Sequence, residues 1–243
     1  MIEIHAIRNI GEVMEGADLG ALLSGALTGY ALVPSDVLVV TQKIVSKAEG
    51  RFRTLADVTP SSRALELAET TQKDPQLVEL ALSESSAVIR AAPHILITRH
   101  RLGLVMANAG IDASNLGPGR AGQILLLPED PDASAARIAA ALGVAVVISD
   151  SFGRPWREGV TNVCIGASGL AALSDQRGEA DRDGRVLQMT QVAYGDLIAS
   201  AAGLAMGEGA EGVPVALVRG CLLPAGNVPA STLIRPVEQD LFA

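Results

Sequence analysis

Three oxygen-rich points stand out along the chain: Asp112 with Asn115 in MANAGIDASNLGPG, Asp150 with Ser151 in VVISDSFGRPWREG, and Glu208 with Glu211 in MGEGAEG. Each closes an apolar stretch and sits among small residues, which let a bulky anion or a hydrated ion approach the backbone. Hard divalent cations favour a few carboxylates completed by hydroxyls, water and substrate phosphates, so together these acids could hold a metal ion. Taken singly, Asp112, Asp150 and Glu208 read as turn formers or helix caps. Behind Asp150 come Arg154 and Arg157, whose planar forks donate in pairs to phosphate or carboxylate. The same segment also reads as an ordinary surface loop anchored by Trp156, the only tryptophan. Lys47 could meet a phosphate as a point charge, but no GxxxxGK[ST] pattern exists, so a P-loop is excluded. His94 and His100 flank an apolar strand and read as structural, Tyr194 as packing, and Cys164 as a small buried hydrophobe. No GxSxG element points to a serine hydrolase.

Composition narrows the chemistry further. The 243 residues carry a formal net charge of -8, and 49% are hydrophobic with only 2% aromatic, so Ala, Val, Leu and Ile must do the packing. A pI near 4.9 excludes a nucleic-acid binder held by phosphate neutralisation, though not a local anionic site. Two separated cysteines and three histidines leave thiolate and imidazole ligands scarce, so any metal is a hard cation held by oxygen. The N-terminal stretch lacks a signal-peptide pattern and no apolar run is long enough to span a membrane, so a cytoplasmic protein without a membrane partner is expected.

The elements that must position these residues follow from periodicity. A strand over residues 2–7 and a helix over 18–27 open the chain. The β-branched run 37–40 reads as a buried strand, followed by a polar segment carrying Lys43 and Lys47 to a turn at Gly50. Helices follow Thr59-Pro60 and Asp74-Pro75, where proline stands just inside the N-terminus. Residues 95–107 read as a strand pair turning at 100–103, and 124–127 as a further apolar element. A capped helix over 134–142 leads into a strand over 144–149 that delivers Asp150-Ser151 to a Gly/Arg-rich loop. Residues 190–206 read as a helix stopped by GEGAEG, and 213–218 as a buried strand. Strands and helices mix without strict βαβ alternation, so an α+β fold of mixed sheets and packed helices is expected.

Together DVLVVTQKIVSKAEGR, ANAGIDASN, LLPEDPDASA, VVISDSFGRPWREG, IGASGL and MGEGAEGVP, spread over nearly the whole chain, resemble the coenzyme F-420-0:L-glutamate ligases, or F-420 gamma-glutamyl ligases. The resemblance implies a GTP-dependent ligase that adds L-glutamate to the tail of the deazaflavin precursor F-420-0, releasing GDP and phosphate. It implies two magnesium or manganese sites, potassium in some members, and an intertwined homodimer of two interleaved subdomains. Carried over by position, Asp112 and Asp150 are ligands of one metal, Ser151 and Glu208 of a second. Asn9, Ile10, Gly11, Glu12, Gln42, Lys43, Lys47 and Asn115 are GTP contacts, as are Met206, Gly207, Glu208, Gly209, Ala210, Glu211, Gly212 and Val213. Where some members carry small hydroxyl residues, this chain has Gln42-Lys43. Some members add a flavin-reductase-like domain; here the chain stops at RPVEQDLFA, so the single-domain form over residues 1–243 is expected.

Phosphoryl transfer asks a protein mostly for positioning and charge neutralisation, which suits Asp112, Asp150 and Glu208 with a nearby Arg154 or Arg157. Two other readings remain: a metal-dependent GTP hydrolase or phosphotransferase with another acceptor, and a non-catalytic nucleotide- or deazaflavin-binding protein.

Overall fold

Runs of consecutive apolar residues in a strand can be buried only if both faces of the sheet are covered. Residues 37–40, 145–148 and 215–218 are such runs, and side chains alternate between two separate cores along each. The computed structural model describes residues 1–240; residues 241–243, the end of the RPVEQDLFA stretch, lie outside the description.

In chain order the elements are β1 (Glu3–Ile7), α1 (Leu19–Ala26), β2 (Val37–Thr41), α2 (Gln42–Ala48), β3 (Phe52–Thr54), α3 (Ser62–Thr71), α4 (Pro75–Ser83), β4 (Ser85–Ala92), β5 (Ile95–His100), β6 (Val105–Ala107), β7 (Gln123–Leu125), α5 (Pro131–Leu142), β8 (Ala145–Arg154), β9 (Arg157–Ser168), β10 (Leu173–Asp175), β11 (Gln191–Ala193), α6 (Tyr194–Met206) and β12 (Val215–Arg219). The main sheet runs β1-β12-β2-β8-β9, with β2 and β8 parallel and the other neighbours antiparallel. Leu38, Val40, Val146, Ile148, Val215 and Leu217 face one core with Leu23 of α1 and Ile138 of α5. Val37, Val39, Ala145, Val147, Ala216 and Val218 face the other with Ile198, Ala199 and Ala202 of α6. A smaller core of Leu67, Val78 and Leu96 joins α3 and α4 to the β4-β5-β6 sheet. The chain is thus the mixed α+β protein that its patterning predicts.

The boundaries differ where local chemistry overrides periodicity. α5 begins at Pro131 rather than near 134, because Asp130 caps it by accepting from the Ala133 amide at 3.0 Å and proline takes the first turn. The helix expected from 190 begins at Tyr194, since residues 191–193 pair with β10 instead. The segment after Asp150 is not a loop. β8 continues to Arg154 and turns through Trp156, at φ 60°, into the long strand β9, so DSFGRPWREG forms a β-hairpin. No helix among the described residues is long and apolar enough to cross a membrane.

One buried charge fastens the sheet. Asp36, fully enclosed at the start of β2, accepts from Arg219 Nε at 2.8 Å, from Arg219 Nη2 at 2.7 Å and from the Val33 amide at 3.0 Å. The Arg219 hydrogen bonds hold its pKa below the usual carboxylate range against the opposing effect of burial. Arg219 keeps about a third of its side chain in solvent, so the loss is mainly that of the hydrogen bonds Asp36 accepts, and Asp36→Ala is expected to lower stability by about 2 kcal/mol in denaturant unfolding. Because this carboxyl is more acidic in the folded state, the difference from wild type persists above the unfolded pKa and shrinks as pH falls below about 4. A difference under about 1 kcal/mol at neutral pH, the range of an exposed pair, would contradict that role.

Candidate functional site

A cleft of about 1120 Å³ opens beside the carboxyl ends of the parallel strands β2 and β8, the edge where α/β-type sheets bind ligands. It exceeds the roughly 300–1,000 Å³ of a pocket for one small molecule. Thr41 and Ser149 are the last parallel pair, so the chain leaves β2 directly into Gln42 and Lys43 of α2, and leaves Ser149 directly into Asp150.

Asp112 enters from the other side. Its backbone exchanges hydrogen bonds with Leu125, at 2.9 and 2.8 Å, which pins residue 112 beside β7 and leaves the side chain in the cleft. Its Oδ1 accepts from the Ser114 amide and hydroxyl, both at 3.0 Å, and its Oδ2 pairs with Lys43 Nζ at 2.7 Å. Asp150 lies close enough to feel the Asp112 charge. Desolvation raises its pKa to about 7, Asp112 adding to the rise, while the Ser151 amide, Gln42 and Lys43 oppose it. Gln42 is spent within the protein: it helps lower the Asp150 pKa, and its Oε1 accepts from Ser46 Oγ at 2.9 Å. At the third point, Ser151 Oγ donates to Glu208 Oε2 at 2.5 Å, and Asn162 Nδ2 donates to Ser151 Oγ at 3.4 Å.

The loop after α6 closes the cleft. Gly207 ends the helix at φ 76°, and a Cβ there would lie 2.3 Å from the Glu211 carboxyl carbon, so glycine is required for Glu211 to fold back. Glu211 then accepts from the Gly209 amide at 2.8 Å; hydrogen bonds from its own amide and from Gly209 keep its pKa low. Asn115, itself left-handed at φ 53°, donates from Nδ2 to the Gly209 carbonyl at 3.5 Å and so links this loop to the Asp112 loop. On α2, Lys47 is nearly buried and pairs with Glu12.

Of the residues singled out in the sequence, Asp112, Asp150, Ser151, Arg154, Ile10, Gly11, Glu12, Gln42, Lys43, Lys47, Asn115 and the whole stretch 206–213 line this one cleft. Asn9 and Arg157 do not. Arg157 stands across the hairpin, and Arg154 turns its guanidinium back onto the Glu158 and Gly159 carbonyls at 2.8 and 3.4 Å. Sequence reasoning missed Ser114, which braces Asp112, and Asn162, which faces Ser151 across β8 and β9. It also missed the apolar wall of Ile97, Val105, Met106 and Phe152. Asn108 and Ala109 precede Gly110 with positive φ at all three residues, and Asn108 Oδ1 is buried without a hydrogen-bond partner. The only sequence signal for that turn was the NAG triplet.

No group of three or more His, Cys, Asp or Glu side chains is arranged as a ready cation cage among the described residues. The donor set still suits a hard cation. Asp150 is desolvated and the Asp112 charge adds to the rise of its pKa, a penalty that a cation relieves. The hydroxyls of Ser114 and Ser151 line the same cleft and are oxygen donors of the kind such a shell takes.

A family model described as "F420-0:Gamma-glutamyl ligase" matches residues 8–220. Similar proteins named "Coenzyme F420:L-glutamate ligase" come from Methanothermobacter thermautotrophicus, 42% identical over 99% of this chain and 98% of the relative, and Methanopyrus kandleri, 44% identical over 95% and 93%. A third, from Natronomonas pharaonis, is 44% identical over 90% of this chain and 86% of its own length.

Proposed function

Because this chain belongs to the F420-0:gamma-glutamyl ligase family, we propose that it joins L-glutamate to coenzyme F-420-0 at the expense of GTP, through an acyl phosphate. The observation that carries this reading is the convergence of Asp112, Asp150, Ser151 and the 206–213 loop on one cleft large enough for two ligands.

A carboxylate and an amine do not condense unaided in water, so the acyl group must first be activated. An oxygen of the F-420-0 carboxylate attacks the γ-phosphorus, the bond to the β-phosphate oxygen breaks, and GDP leaves. The glutamate amine, having lost a proton, attacks the acyl carbon, the acyl–oxygen bond breaks, and phosphate departs. The chain's own residues bind and orient. Lys47, beside Glu12, and Asn115 flank the nucleotide, and the 206–213 backbone wraps its phosphates. The wall of Ile97, Val105, Met106 and Phe152 takes a planar ring, and Arg154, released from its two carbonyls, reaches an anionic group. Asp112 and Asp150 would hold one magnesium or manganese ion, Ser151 and Glu208 a second, supplying charge neutralisation for the phosphoryl oxygens. A homodimer is part of the reading; exposed apolar Leu197 and Leu204 on α6 and Trp156 on the hairpin support it.

Incubating the protein with F-420-0, GTP, L-glutamate and manganese, in potassium and in sodium buffer, is expected to give a product heavier by one or more glutamyl residues, with GDP and phosphate in step. On sedimentation the protein should run at the mass of two 25.0 kDa chains. GTP consumed at the same rate without F-420-0 and glutamate would favour a hydrolase instead. Product formed without GTP would end the acyl-phosphate reading.

A further inference from the structure

Adjacent residues at the start of α2 act on the two cleft acids separately: Gln42 favours the ionised form of Asp150, and Lys43 pairs with Asp112. The Lys43 contact is a built one. Its ammonium lies 2.7 Å from Asp112 Oδ2, 2.9 Å from the Ser114 carbonyl and 3.5 Å from Ser114 Oγ. Lys43 and Asp112 keep only 20% and 22% of their side-chain surfaces exposed, so solvent screens this pair less than a surface ion pair. With Oδ1 held by Ser114, both oxygens of the Asp112 carboxylate are engaged.

We propose that Lys43 is a counter-ion latch that holds Asp112 while the cleft is empty, disfavours a divalent cation arriving alone, and transfers to phosphate when cation and nucleotide enter together. This rests on the reading that Asp112 and Asp150 hold a divalent cation. The electrostatics follow from charge alone. Once a cation draws both carboxylates into their ionised form, the lysine leaves the trio with a net charge of about -1, against -2 without it, and a doubly charged ion placed there is repelled by the ammonium. An ammonium has three donors and no fixed fork, so it can exchange a carboxylate for a phosphate oxygen with little loss of geometry. Phosphates brought by the nucleotide replace the partner that Lys43 gives up, whereas a bare cation replaces nothing. The consequence is an order of binding in which metal and nucleotide are taken up cooperatively.

The test is Mn²⁺ binding, read from the electron paramagnetic resonance signal of the free ion. It uses the full chain as wild type, Lys43→Met and Lys43→Arg, each with Mn²⁺ alone and with Mn²⁺ plus a non-hydrolysable GTP analogue. Lys43→Met is expected to bind Mn²⁺ alone about tenfold or more tighter than wild type, Lys43→Arg to stay near wild type, and the gain to vanish or reverse once the analogue is present. The gain should also disappear when Asp112→Asn is added to Lys43→Met. Equal affinity of wild type and Lys43→Met for Mn²⁺ alone, with both proteins folded by circular dichroism, overturns the latch and leaves the metal reading standing. Absence of Mn²⁺ binding by every protein, with and without the analogue, overturns the metal reading and the latch with it.

Discussion

Asp150→Asn is expected to lower kcat/KM for ligation by roughly 10³-fold or more while leaving the protein as stable as wild type or more so. The two effects have opposite signs for one reason. In the proposed mechanism this carboxylate holds a cation that neutralises phosphoryl charge, a contribution of several kcal/mol at about 1.4 kcal/mol per decade. For the empty fold, however, the same charge is a burden: desolvation first, and Asp112 after it, raise the Asp150 pKa to about 7. A carboxyl whose folded pKa lies above its unfolded value loses stability as pH rises between the two. Wild type and Asp150→Asn should therefore unfold at nearly the same temperature near pH 4 in metal-free buffer. The variant should gain as pH rises, and the gap should level off above about pH 7. Asparagine keeps the size of the side chain and an acceptor for the Ser151 amide. Ligation rates measured beside melting temperatures at several pH values check both halves. Retained activity would remove Asp150 from the catalytic site, and a loss of activity together with a large fall in melting temperature would make it structural.

How much of this site was legible in the sequence depended on whether local or cross-chain chemistry places each residue. Asp112, Asp150 and Glu208 were visible because each follows an apolar stretch among small residues, for Asp150 the unbroken apolar run of β8 and for Glu208 the Ala- and Leu-rich α6. Asp74-Pro75 marked its helix start correctly because capping involves only neighbours: Asp74 Oδ1 accepts from the Gln76 amide at 2.8 Å. The hairpin of β8 and β9 was illegible. Its turn, Pro155-Trp156 between Arg154 and Arg157, carries the composition of a loop, and its strand character comes from pairing with residues up to 22 positions away, as in Val146 opposite Ser168 and Gly153 opposite Val160. Asn162 therefore could not be placed opposite Ser151, and Arg157 could not be seen to fall outside the cleft. Gln42 and Lys43 illustrate the remaining limit. Their types suggest contacts with a ligand, but the structure shows Lys43 first paired with Asp112 and Gln42 first bonded to Ser46, relations set by the placement of α2 within the fold.

Exhaustive chelation is expected to abolish ligation, to below about 1% of the starting rate, and added magnesium or manganese to restore it. The same geometry predicts how easily the metal leaves. No three acidic, histidine or cysteine side chains among the described residues are placed to hold one ion together, so the protein alone offers an incomplete shell, and Lys43 already occupies one oxygen of Asp112. Hard cations held by so few protein oxygens keep water and depend on substrate phosphates for the remainder. Dialysis of nucleotide-free protein should therefore strip the ion with little help from a chelator, whereas protein dialysed with a GTP analogue should retain it. Elemental analysis of the two samples reads this directly, and add-back assays separate stripping from damage. The oxygen-only donor set also favours magnesium and manganese over softer ions, because Cys164 is buried away with its thiol pKa driven upward, desolvation first among the causes. Full ligation activity in protein shown by elemental analysis to be metal-free would leave the charge on the phosphates to be met by Lys43, Lys47 and Arg154 alone, and the carboxylates of the cleft without a role in the reaction.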